Sequence, residues 1–160
     1  MNPAGAARLI ALLLPLALLG GALGSQYIGG LHPCEMCYWQ RWPHAFAIVA
    51  AALAFTATAE SSRSRTLTLL AALAITISGI IGVYHAGVEA KIFEGFTTCT
   101  KLVTCGSTSD MLKQITQAPL VRCDQVQWTF LGISMAGWNA ILSLGGAAVI
   151  LFLTVKGSRR

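Results

Sequence analysis

Four runs of predominantly apolar residues, separated by shorter polar stretches, make up most of this chain. They extend roughly over 8–28, 42–59, 66–88 and 133–155. Crossing about 30 Å of hydrocarbon at ~1.5 Å of rise per residue takes about 20 apolar residues in a helix. Each run has that length or comes close to it. The pattern predicts an all-α membrane protein, a four-helix transmembrane bundle forming a single domain over residues 1–160 with outer loops at 29–41 and 89–132. Inside the runs, Gly20 and Gly24 are spaced to let a neighbouring helix come close, as are Ser78, Gly82 and Ala86. Pro15 interrupts the first run, which membrane helices tolerate. The Gly29-Gly30 pair ends that run, and Trp42-Pro43 suits the first turn of the next helix. Trp39, Trp42, Trp128 and Trp138 suit the membrane–water boundary. In the long loop, Asp110 to Ile115 reads as a short amphipathic helix capped by Ser107 or Ser109.

Charge orients the bundle. The basic residues Arg8, Arg63, Arg65, Lys156, Arg159 and Arg160 all flank runs on one side. Basic residues in short loops stay cytoplasmic, so both termini and the loop at 59–65 lie inside. The formal net charge of +5 is spread over these segment ends. It forms no basic face, which argues against a nucleic-acid partner. With 55% of residues apolar and 11% charged, the chain is also too apolar for a soluble domain of its size. A cleaved signal peptide ending near Ala22-Leu23-Gly24-Ser25 is the competing reading of the first run. That run is longer than an ordinary signal core, and its removal would start the remaining spans on the wrong side for their charges.

All five cysteines, Cys34, Cys37, Cys99, Cys105 and Cys123, fall in the two outer loops. Thiols outside the cytoplasm can remain oxidised, so cysteine placement and charge placement agree on topology. Cys34 and Cys37 form a Cys-x-x-Cys pair, a redox dithiol or half of a zinc site. Haem attachment is excluded because Tyr38 stands where that motif needs histidine. Arg41 lies one helical turn beyond Cys37. There a fixed positive charge would stabilise a Cys37 thiolate, and it could hydrogen-bond the carbonyl of a quinone as it is reduced. The remaining three cysteines allow one disulfide and a spare thiol, whose pairing the residues alone leave open. His85, ionisable and inside the third run, suggests either a quinone pocket or a proton relay, or a hydrogen bond to a neighbouring helix. Glu35 sits between the paired cysteines and could tune them. His32 and His44 read as interfacial filler, and Met36 as packing against lipid or quinone.

The run from Pro33 to Arg41 resembles the P-C-x-x-C-x-x-Q-R signature of the bacterial disulfide bond formation protein B (DsbB) family. The resemblance continues through Gly82 to Glu89, Thr97 to Thr100, Val121 to Asp124 and Trp128 to Asn139. It implies a quinone-dependent thiol oxidase of the bacterial inner membrane, with its cysteine loops in the periplasm. Its partner would be a DsbA-like thioredoxin-fold protein and its acceptor ubiquinone or menaquinone, with no metal. The implied catalytic residues are Cys34, Cys37, Cys99 and Cys123, with Cys37, Arg41 and His85 at the quinone. On that reading Cys99 pairs with Cys123 and takes the partner in a mixed disulfide, after which Cys123 exchanges with Cys34. Cys105 departs from the family pattern and could compete for either. The direction is sensible, because a DsbA-type partner sits near −120 mV and needs an oxidant stronger than ordinary thiol buffers. The rivals are a vitamin K epoxide reductase-like enzyme, whose cysteine pair lies late in the chain, and a non-enzymatic scaffold stapled by zinc or disulfides.

Overall fold

The computed structural model describes residues 2–95 and 122–158. Cys99, Cys105 and the expected helix at Asp110 to Ile115 lie outside the described residues. The described chain is mostly helical: α1 (Pro3–Tyr27), α2 (Glu35–Ala54), α3 (Ser62–Glu89) and α4 (Met135–Ser158), with strands β1 (Thr129–Phe130) and β2 (Ile133–Ser134) leading into α4. The helices pack in the ring α1–α2–α3–α4, with a smaller contact between α1 and α3 across it.

Local chemistry marks each helix start. The side chains of Asn2 and Ser61 accept from backbone N–H groups of α1 and α3, and the Ser134 hydroxyl accepts from Gly137 N at the head of α4. At the basic end, an Arg8 Nη donates to the Ala57 carbonyl at 3.0 Å, its guanidinium lying over the Phe55 ring, and Gly157 comes against Ala4. Cys34, Cys37 and Cys123 gather at the opposite end.

The interior is built of small residues. Ala7, Ala11, Ala47, Ala51, Ala71 and Ala147 are buried around Ile75 and Ile150. Larger apolar residues such as Leu13, Phe46, Val49, Leu73, Ile80 and Phe152 face outward. In water this would expose too much apolar surface, whereas in lipid it is the favoured arrangement, since small residues let helix backbones approach. Among the described residues, α1, α3 and the stretch Met135–Gly157 are long and apolar enough to cross a membrane. α2 carries Glu35 and Arg41 and is not among them.

Several boundaries differ from expectation. Helix α2 begins at Glu35, so Cys34 to Arg41 is not loop but a helix cap and two turns, and Pro43 sits inside the helix and not at its start. It ends at Ala54, ahead of the expected 59. A hairpin between β1 and β2 was also unforeseen. Leu131 and Gly132 take φ of 52° and 77°, as a two-residue turn with both central residues left-handed requires. Gly20 and Gly24 do not receive a neighbour, because an added Cβ at either meets nothing within 4 Å. Gly82 does. A Cβ there would lie 3.1 Å from Ala136 O, Ala140 N and Asn139 Nδ2. Gly82→Leu should therefore force α3 away from α4 and cost about 2 kcal/mol or more, read as a lowered unfolding midpoint in detergent. An unchanged midpoint would contradict this packing.

Candidate functional site: a dithiol at a helix N-terminus facing a cavity

Pro33 holds the chain extended, and Cys34 becomes the N-cap of α2, its sulfur accepting from Cys37 N at 3.4 Å. The Cys-x-x-Cys pair thus occupies the first turn of a helix, where N–H groups and the helix dipole favour a thiolate. The two sulfurs are 3.0 Å apart. Both stand ahead of the stretch expected to span, and they share a charge unequally. The hydrogen bond from the Cys34 thiol is the main influence that brings Cys37 down to about 7, with Arg41 adding to it. The same hydrogen bond, with burial, pushes Cys34 up. Cys37 is the sulfur that carries the charge.

Arg41 is positioned from α1. Its guanidinium donates to Gln26 Oε1 at 2.5 Å and to the Ala22 carbonyl at 3.1 Å, and it lies over the Tyr38 ring at 5.1 Å. Its Nε is buried with no hydrogen-bond partner among the described residues. The expected one-turn spacing from Cys37 holds.

His85 of α3 places Nε2 3.5 Å from Cys34 Sγ and Nδ1 2.8 Å from Gln40 Nε2. A layer of buried amides fixes which nitrogen holds the proton. Asn139 of α4 donates from Nδ2 to the Ser78 carbonyl at 3.2 Å and to Gln40 Oε1 at 2.7 Å. Gln40 Nε2 also donates to the Met36 carbonyl at 3.2 Å. Two backbone carbonyls, which can only accept, therefore set both amides, so Gln40 donates to Nδ1 and the His85 proton sits on Nε2, facing the thiol pair. His44, expected as interfacial filler, is buried in this layer. Its Nε2 is 2.9 Å from both Asn139 Oδ1 and Ser78 Oγ. Met36, expected against lipid or quinone, is instead fully buried with Cys34, Val88 and Cys123.

Cys123 comes from the far side of the long loop and lies in that same buried cluster, its thiol close enough to hydrogen-bond Cys34. It is held by its neighbours. Asp124 takes Lys91 Nζ at 2.6 Å and Arg122 Nη2 at 2.8 Å. Those two cations, Arg122 first, keep the Asp124 carboxyl well below the usual carboxylate range. Gln127 Nε2 donates to the His32 carbonyl at 2.6 Å and ties the segment after Cys123 to the residues before Cys34.

Beside the thiol pair opens a cavity of about 640 Å³, within the usual range for a small organic ligand. The small face of α1 at Gly21, Ala22 and Ser25 leaves its volume free. Cys37, Arg41, His85 and Glu89 border it. The Cys34 and Cys37 sulfurs and a His85 nitrogen also lie within 4.8 Å of one another. A structural zinc centre closes with four ligands, and among the described residues this group stops at three.

The family model described as disulfide bond formation protein DsbB matches residues 5–153, nearly the whole chain. The chain belongs to the DsbB family. A disulfide bond formation protein B of Methylococcus capsulatus is 33% identical over 144 residues, covering 84% of each chain. One from Acidovorax sp. is 29% identical over 154 residues, covering 89% of this chain and 83% of its own. Disulfide bond formation protein B 2 of Pseudomonas aeruginosa is 31% identical over 140 residues, covering 79% and 76%. No solved structure matches the chain. As a DsbB-family member it is a membrane protein of disulfide bond formation with disulfide oxidoreductase activity.

Sequence reasoning had singled out Cys34, Cys37, Arg41, His85 and Cys123, and the structure brings these five together. It had given Gln26 no role, had quoted Gln40, Asn139 and Glu89 only within the family resemblance, and had read Ser78 only as a packing position. The available signal was a polar residue within an otherwise apolar helix, which in a membrane points to a function or a partner.

Proposed function

We propose that this chain is a quinone-dependent thiol oxidase that reoxidises a periplasmic DsbA-like dithiol protein. One observation carries the reading. A thiol pair at a helix N-terminus, with Cys37 favoured as the thiolate and a guanidinium one turn away, opens on a largely apolar cavity while Cys123 touches the other sulfur. The donor set suits a flat, carbonyl-bearing lipid ring, because Arg41 Nε is buried without a partner among the described residues and both Arg41 and His85 line the cavity. Ubiquinone and menaquinone both have this chemistry. We place the protein in the bacterial inner membrane with four spans, α2 being the most polar, both termini cytoplasmic and the cysteines periplasmic.

In this mechanism the partner's thiolate attacks the Cys99–Cys123 disulfide, forming a mixed disulfide at Cys99 and freeing Cys123. The partner's second thiol then resolves that bond and leaves oxidised. Freed Cys123 attacks Cys34 of the Cys34–Cys37 disulfide, and Cys37 departs as a thiolate facing Arg41. Return of Cys99 to Cys123 restores the long-loop disulfide and leaves Cys34 and Cys37 reduced. A quinone held beside Cys37 and Arg41 would supply a two-electron, two-proton acceptor for that dithiol. Arg41 stabilises negative charge beside the thiolate, and the closed amide layer keeps His85 a neutral donor.

Two experiments bear on the partner's route. A Cys123→Ala variant should trap the partner in a mixed disulfide at Cys99, recoverable by mass spectrometry. Cys105→Ser should retain activity with a reduced DsbA-like protein, while Cys99→Ser should lose it. The reverse pattern would move the exchange bond to Cys105.

A further inference from the structure

Glu89 lies at the end of α3, its side chain only 10% exposed, with Oε1 3.8 Å from His85 Nε2. Its other oxygen, Oε2, is buried with no hydrogen-bond partner among the described residues, the Ser134 side chain being the polar group close to the carboxyl. A buried carboxyl oxygen left unpartnered is costly, so its retention calls for a reason. That side chain borders the cavity shared by Cys37 and Arg41. The mechanism above leaves a gap at this place. Converting the dithiol to a disulfide releases two protons, the reduced ring must gain two, and the nearest imidazole cannot carry them. With Nδ1 accepting from Gln40 and Nε2 already protonated, neutral His85 has no free lone pair facing Cys34.

We propose that Glu89 is the proton-transfer residue of the quinone step, passing thiol protons to the reduced ring in the cavity. The inference rests on the quinone reading above and deepens it. In balance, the Cys34 S–H bond breaks and one S–S bond forms to the Cys37 thiolate, the second proton being the one Cys37 gave up on ionising. Two electrons pass to the quinone and two O–H bonds form on it. Glu89 takes up and gives back each proton in turn and ends unchanged. His85 Nε2 stands 3.8 Å from Oε1 and 3.5 Å from Cys34 Sγ, so the carboxylate and the thiol pair share one neighbour at the cavity. Arg41, Arg122 and the Cys37 thiolate are the other charged groups bordering the cavity.

The test is single-turnover reduction of a soluble ubiquinone by the dithiol form, comparing Glu89→Gln and Glu89→Asp with the unaltered protein. Glu89→Gln should slow quinone reduction roughly a hundredfold. It should also enlarge the solvent deuterium isotope effect of that step. Quinone affinity, read by tryptophan quenching, and the rate of thiol–disulfide exchange with a small thiol should not change. Glu89→Asp, which keeps an ionisable oxygen, should recover most of the lost rate. Quinone reduction by Glu89→Gln at the unaltered rate would overturn the inference, as would an equal loss in both half-reactions or an Asp variant as slow as Gln. Failure of the unaltered protein to reduce quinone would instead remove the quinone reading itself.

Discussion

Replacing Cys37 with alanine is expected to bring quinone reduction down to the uncatalysed background. Cys37 is the sulfur on which negative charge settles, because the Cys34 thiol donates to it and Arg41 stands one turn away. It also borders the cavity. Alanine removes that nucleophile but leaves Cys34 and Cys123 in their shared buried cluster. In the variant Cys34 can only attack Cys123 of the Cys99–Cys123 disulfide, with Cys99 leaving as a thiolate, so any Cys34–Cys123 bond that forms is a rearrangement that passes no electrons on. Alkylation followed by mass spectrometry reads any such bond, and quinone absorbance reads the lost step. Quinone reduction by Cys37→Ala at a normal rate would move the electron exit to another group.

Arg41→Gln carries the second large effect. The guanidinium is held by Gln26 and the Ala22 carbonyl, so its charge is fixed in place before any ligand arrives. Removing a prepositioned charge-stabilising donor commonly costs ~10²-fold or more in rate. A loss of about a hundredfold is expected here. The pH dependence carries an independent sign. In the reduced protein Cys37 is lowered to about 7, so its alkylation should be near maximal above that pH and fall away below it. Without Arg41 the midpoint should move up, toward the ordinary thiol value of about 8.5. Arg41→Lys restores the charge but not the two-pronged donation, and should fall between the two. A Gln variant with an unmoved alkylation midpoint would show that Arg41 does not act on the sulfur.

How much of this was legible beforehand depends on range along the chain. The Cys34, Cys37 and Arg41 arrangement was readable because it is local, with a proline, a cap and an i, i+4 spacing on one helix. The grouping of Arg8, Arg63, Arg65 and Lys156 at one end was readable from charge alone. The start of α2 was misplaced because its first two turns carry Glu35, Gln40 and Arg41, which look like loop when read by hydropathy. Gly20 and Gly24 were misread because a small-residue spacing permits either close packing or open space, and a Cβ at either meets nothing within 4 Å among the described residues. His44 and Asn139 were opaque for a different reason. Each is explained by partners at least 34 positions away on other helices, 95 for the pair itself, the Asn139–Ser143 contact within α4 excepted. The meeting of Cys123 with Cys34 was suggested by family resemblance and had no local signature at all. Leu131-Gly132 lacks the usual Asn or Asp of such a turn, so the hairpin gave little sign of itself.

The most direct measurement is a titration of the purified, fully reduced protein with a soluble ubiquinone, counting quinol formed against Cys34 and Cys37 thiols lost. The account predicts one quinol for each Cys34–Cys37 disulfide, with the thiols of a Cys34→Ala, Cys37→Ala double variant producing none. Quinone left oxidised while the thiols remain alkylatable, or equal quinol from the double variant, would contradict it.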